Sequence, residues 1–341
     1  MKKSLILSIA LCALFAYASA QTPADYSFKK SFNVSAPAEM AIKTNDGFIK
    51  AYAANSDEIM VYFIVTKDGR VQDMSLENLE DELDVEISSS GNSLEITIKQ
   101  ENGSWLNWRN RYNVSMQIIA PTKTACNLHT SDGNIELVDF TGDQLCRTSD
   151  GNIEAEGISG NLSARTSDGN IEALNISGEV ELHTSDGDIV TENIENNCSL
   201  RTSDGKVIAI DVNGNISAVT SDGNVHLEKA KGKHSARTSD GDITFEDISG
   251  SLNAKTSDGD IRGDFITLDD RLALKTSDGS ISVTIPDGLG MDVLLKGEDI
   301  NTSLERFSGE TSDHKVEGKI RGGGVEVELI TSDGDINLSY N

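Results

Sequence analysis

The tetrapeptide Thr-Ser-Asp-Gly begins at residues 130, 148, 166, 184, 202, 220, 238 and 256, always 18 residues after the previous copy. Self-similarity at a fixed period is the signature of a stacked repeat architecture. The tetrapeptide returns at 276 and 331, with the variant Thr311-Ser312-Asp313-His314 between them and a looser copy, Thr44-Asn45-Asp46-Gly47, far upstream. A chain written this way builds one unit many times, so its stability comes from neighbouring units burying each other's surfaces.

Each unit divides into two similar halves of nine residues, TSDGNIEAE over 148–156 and GISGNLSAR over 157–165. Apolar and polar residues alternate in the second part of each half, which reads as a short strand. Glycine with polar neighbours reads as the turn between strands. Ile153, Ala155, Ile158, Leu162 and Ala164 then point inward. Ile135, Ile171, Ile189, Val207, Val225, Ile243 and Ile261 take the place of Ile153 in other units. The expected fold is all-β: a parallel β-solenoid (β-helix) of flattened, two-sheet, 18-residue coils, with right-handed winding.

Residues 1–20 read as a signal peptide. Lys2 and Lys3 precede an apolar stretch from Leu5 to Tyr17, and Ala18-Ser19-Ala20 forms a small-x-small cleavage site. Export to the periplasm, outer envelope or cell exterior follows as the expectation. Loss of the two lysines would take the net charge from -27 to -29. Such a surface repels nucleic acid and anionic lipid, and no later run is apolar enough to span a bilayer. Residues 21–125 form a less regular β-rich segment, with strands expected around Ile59–Val65, Leu94–Ile98 and Asn113–Ile119. One helix is expected from Ser75 to Leu83, with Ser75 as N-cap. This segment is expected to supply the first coils and a cap, and residues 126–341 the regular repeats. Cys126, Cys146 and Cys198 are too few, and odd in number, for a disulfide framework.

The Thr-Ser-Asp-Gly-Asp-Ile type repeat, the charged helix between early strands and the closing stretch from Gly322-Gly323-Gly324-Val325 to Ile336 carry a resemblance. The chain resembles a bacterial adhesin-type family of β-strand-repeat envelope proteins, catalogued as a domain of unknown function. The resemblance covers most of the chain after residue 20. It implies the solenoid fold and an adhesin-like role, and it supplies no catalytic residues.

Stacking sets Asp132, Asp150, Asp168, Asp186, Asp204, Asp222, Asp240 and Asp258 in a column about 4.8 Å apart. Turn chemistry accounts for them: Asp bonding nearby backbone, Gly supplying a positive φ, and Thr offering its hydroxyl along the stack. Calcium is the sharper alternative, because oxygen-rich rows hold that ion, although the calcium-binding nonapeptide repeats also need glycines before the aspartate. A basic row formed by His129, Arg147, Arg165, His183, Arg201, Arg237, Lys255 and Lys275, interrupted by Val219, is expected beside the same edge, relieving repulsion in the acidic column or binding acidic glycans. Trp105, Trp108, Arg109, Arg111 and Tyr112 form a cluster suited either to plugging a core end or to contacting a glycan or protein partner. The five histidines lack metal-ligand spacing, and no phosphate loop or nucleophile elbow is present. The expectation is a non-enzymatic adhesin or scaffold without a cofactor, meeting a surface protein or glycan. The alternatives are a carbohydrate-active β-helix enzyme of lyase or hydrolase type, and a calcium-dependent structural module.

Overall fold

Residues 23–100 and 112–341 are described by a computed structural model. Two parallel ladders run the length of the repeats. The first joins strands such as Ile135–Val138, Ile153–Ile158, Ile171–Ile176 and Ile189–Ile194, with Ile135 opposite Ile153 and Ile153 opposite Ile171. The second joins Gln144–Arg147, Leu162–Arg165, Val180–His183 and Cys198–Arg201 in the same register, coil on coil. Ile153, Ala155, Ile158, Leu162 and Ala164 are all buried, so the inward set read from the pattern is the core of a coil.

At the Thr-Ser-Asp-Gly corner the threonine bonds along the stack as expected, while the aspartate and glycine depart from the expectation. The threonine side chain is buried, and Thr148 Oγ1 donates to the Ser131 and Gly133 carbonyls of the preceding coil, both at 3.0 Å. The same hydroxyl accepts from Gly151 N at 3.3 Å. The glycine does not carry a positive φ. It is needed because the backbones touch: a Cβ on Gly151 would lie 2.0 Å from the Gly133 oxygen. At every stacked corner from Gly47 to Gly334 that clash recurs at 1.9–2.1 Å. Positive φ belongs to the opposite corner, at Asp139, Gly157, Asn175, Asn193, Asp211, Lys229 and Asp247.

At both ends the order of coils in space departs from their order in the chain. Ala38–Lys43 lies between Ser93–Gln100 and Thr124–His129, and Ile49–Ala54 lies between Asn113–Pro121 and Ile135–Val138. The loose corner at Thr44 therefore stacks directly beneath Thr130, whose hydroxyl donates to the Gly47 carbonyl at 2.8 Å. Outside it, Glu58–Lys67 pairs antiparallel with Asn113–Pro121, and Leu83–Ser90 with Ser93–Gln100. The helix between them is shorter than expected, Leu76–Glu80, with Ser75 Oγ accepting from Asn78 N. Leu79 is buried, and Leu83 begins the next strand.

The C-terminal end repeats this device. Val325–Ile330 inserts between Ile261–Lys275 and Met291–Lys296, and Ile336–Tyr340 between Ile281–Ile285 and Ile300–Thr302. The corner at Thr331 thus stacks on the coil of Thr276, its hydroxyl donating to Gly279 O at 2.8 Å. The variant at 311–314 is no corner. It forms the end and turn of a hairpin between Phe307–Ser312 and Lys315–Ile320, which lies antiparallel against Met291–Lys296. His314 stands where a corner needs glycine, and its Cβ would meet the neighbouring backbone. Antiparallel strands lie outermost on both ladders at the N-terminal end and on the second ladder at the C-terminal end. There the first ladder finishes in the short parallel strand Ile300–Thr302. Turned-back and short edge strands are poor templates for other chains. No helix among the described residues is long and apolar enough to cross a membrane.

Candidate functional site

Two long surfaces carry the residues singled out by the repeat, the corner column and the outer face of the second ladder. The corner column holds Asp132, Asp150, Asp168, Asp186, Asp204, Asp222, Asp240 and Asp258 at exposed positions. Among the described residues none of these carboxylates accepts a hydrogen bond. The expected Asp-to-backbone turn bond is replaced by the threonine, while the aspartate's own N–H donates across coils, as Asp150 N does to Ser131 O at 3.0 Å. Among the described residues no three His, Cys, Asp or Glu side chains converge to hold a metal ion.

The outer face of the second ladder carries the basic row. Its register aligns Lys43, His129, Arg147, Arg165, His183 and Arg201, then Val219, Arg237, Lys255 and Lys275. The row does not pair with the aspartates. Among the described residues no ion pair within 4.0 Å joins them, and Lys275 turns instead to Glu328 at 2.7 Å. The corner strand end holds each cation on its ladder while the aspartate projects from the bend. Burial and then the flanking cations Lys43 and Arg147 hold the His129 imidazole below its ordinary range. Burial, Arg165 and Arg201 do the same to His183.

On the same ladder's outer face lies a shallow trough of about 790 Å³. Ser163, Ser199, Ser217 and Ser235 line it in one row, interrupted by Glu181, and Asn161, Asn197 and Asn215 in the next, interrupted by Glu179. The asparagines are tied down: Asn161 Oδ1 accepts from Glu179 N, and Asn197 Oδ1 from Asn215 N, both at 2.9 Å. The small serines on either side of Glu181 leave the trough open, and the bonded amides hold the asparagine row in place.

The outer face of the first ladder was not singled out by the repeat. One row runs Glu136, Glu154, Glu172, Val190, Ile208, His226, Thr244, Arg262. Beside Val190 and Ile208 lie Leu174 and Ile210, also partly exposed. Burial and the neighbouring Glu154, Glu156 and Glu192 push the Glu172 carboxyl up. Glu136 is already engaged, accepting from the Tyr52 hydroxyl at 2.7 Å and pairing with Lys50 at 2.7 Å. The sequence signal for this surface is a break in alternation: Val207-Ile208-Ala209-Ile210 is apolar on both faces.

Trp105, Trp108, Arg109 and Arg111 lie outside the described residues. Tyr112 packs partly buried against the core near the N-terminal end, with the Lys67 ammonium 4.6 Å from its ring centroid. Cys126, Cys146 and Cys198 are free and buried, and burial raises the Cys146 and Cys198 thiols to about 12.

The sequence profile of the Toastrack DUF4097 family matches residues 54–244 and 233–339, and the chain belongs to that family. Two solved structures align with the chain at low identity. A candidate cell adhesion protein from Clostridium sporogenes shares 11% identity, covering 92% of this chain and 99% of its own, with a TM-score of 0.17. A candidate adhesin from Parabacteroides distasonis shares 14% identity, covering 91% and 96%, with a TM-score of 0.29. Superpositions at those scores carry no argument about this chain. No curated protein matches it.

Proposed function

We propose that this protein is an exported, non-enzymatic, adhesin-like or scaffolding solenoid of the bacterial envelope, a flattened right-handed rod that meets a surface protein or glycan without a cofactor. The observation that carries this reading is the unbroken stack of corners from Thr44 to Thr331, with antiparallel strands at each end. Such a stack holds whole rows of side chains at one fixed spacing, which suits repeated weak contacts along a polymer or a second surface. Catalysis needs a few groups set apart by their surroundings, whereas here the aspartate column repeats one chemistry and the basic row departs from its own only at Val219.

Protease shaving of intact cells, followed by capture of surface material on the purified protein, tests it. Recovery of a glycan or surface protein, with the chain removed from cells by shaving, is the expected result. Product release from an acidic or neutral polysaccharide, abolished by changing a single carboxylate, would replace this reading with the enzyme. Collapse of the fold in chelator would replace it with the calcium module.

A further inference from the structure

We propose that the outer face of the first ladder is a homodimer interface, two copies packing face to face about a two-fold axis that runs along the strands between the Ile189 and Val207 coils. This goes beyond the adhesin or scaffold reading and does not depend on it.

An axis of that kind reverses the order of coils and keeps each position along a strand facing the same position in the other copy. The middle row is built for this reversal. Val190 then faces the partner's Ile208, so aliphatic meets aliphatic at the centre. Glu172, crowded by its own glutamates, faces the partner's His226, and Glu154 faces the partner's Thr244. In the row nearer the Thr-Ser-Asp-Gly corner, Asp188 faces the partner's Lys206. The third row is not complementary: Glu192 would face the partner's Ile210, Leu174 the partner's Glu228 and Glu156 the partner's Glu246. That row lies at the margin of the contact, where water reaches the carboxylates and screens the like pair.

Three physical points favour a second copy over an unrelated partner. An isologous interface needs one patch to be complementary to itself under reversal, and a row acidic at one end, aliphatic in the middle and neutral-to-basic at the other meets that need. Both faces have the same coil spacing, about 4.8 Å, so a match at the central coils is kept at every coil outward. The apolar centre is also out of place on a chain with net charge -27, since such a patch rimmed by charge marks an interaction surface.

Sedimentation velocity and light scattering on the purified protein over a range of concentrations provide the test. A concentration-dependent dimer is expected. Ile208→Glu places a charge at the centre in both copies and should weaken dimerisation by more than about tenfold, with the melting temperature of the monomer little changed. Asp188→Lys and Lys206→Asp should each weaken it, and the double variant D188K/K206D should restore it, because the swap again sets opposite charges face to face. The charge-swap set decides the matter if Ile208→Glu does not fold. A wild type that stays monomeric throughout overturns the proposal. So does a dimer indifferent to Ile208→Glu, or a double variant no better than the single ones.

Discussion

Within one coil, the Thr-Ser-Asp-Gly corner and the column that opens the second ladder obey different rules. The corner repeats almost without change from Thr130 to Thr276. The inward column reads Cys126, Gln144, Leu162, Val180, Cys198, Ile216, His234, Leu252, each opposite the next. At the corner, backbone lies on backbone, and a single added carbon meets a carbonyl oxygen at about 2 Å. In the column, side chain lies on side chain, and neighbours adjust to volume. Even Gln144 is accommodated, because its amide donates to the Thr124 and Gly142 carbonyls and accepts from Cys126 N. Identity is enforced where main chains touch and relaxed where side chains intervene.

The severest way to break that contrast is to stack unlike corners. Deleting Thr166 to His183 removes a whole coil, joins Arg165 to Thr184 in phase and should leave a folded, shorter rod. Deleting only Thr166 to Leu174 sets Thr-Ser-Asp-Gly corners against positive-φ corners at the junction. Coils depend on nearest neighbours, so melting of the nine-residue deletion should split into two transitions while the 18-residue deletion melts in one. Equal tolerance of both would mean the corners are interchangeable.

A smaller cut tests the corner alone. In Gly205→Ala the new Cβ would lie 1.9 Å from the Gly187 oxygen, and overpacking of this kind costs about 1–3 kcal/mol. Denaturant titration should show that loss; a cost near zero would mean the coils separate freely at this corner.

The inward column should show its own weak point at acid pH. His234 is 4% exposed, and neither ring nitrogen makes a hydrogen bond of good geometry. Burial pushes its pKa down from 6.5 to about 4, with the Ala230 carbonyl pulling the other way. The unfolded chain therefore binds this proton first as pH falls. Stability from the neutral imidazole is intact above about 6.5, declines between there and about 4, and is lost below, up to about 3 kcal/mol. His234→Leu, matching Leu252 in the next coil, should flatten that part of the stability-pH curve. An unchanged slope would show that the proton is taken up elsewhere.

The mildest effect is expected at the opposite corner. Lys229 holds a φ of 51°, a conformation that costs a side-chain-bearing residue about 1 kcal/mol. Lys229→Gly should raise the melting temperature slightly or leave it unchanged. A clear drop would mean the lysine's contacts outweigh its strain.

The sequence by itself determined the coil: its 18-residue length, its inward Ile153, Ala155, Ile158, Leu162 and Ala164, and the threonine that links coil to coil. These follow from local alternation and fixed spacing, which any stretch of the repeat displays. Only the tertiary structure decided which coils are neighbours. The same Thr-Ser-Asp opens the segments at 311 and 331, yet the first becomes a hairpin and the second a corner, because long-range strand pairing places Gly334 against Gly279 and leaves His314 in a turn. The glycine's purpose was likewise invisible in one coil, since a clash with the coil below exists only once both are stacked. The apolar patch of Leu174, Val190, Ile208 and Ile210 follows the same logic. Each residue is an ordinary strand former in its own unit, and the ladder register makes them one surface.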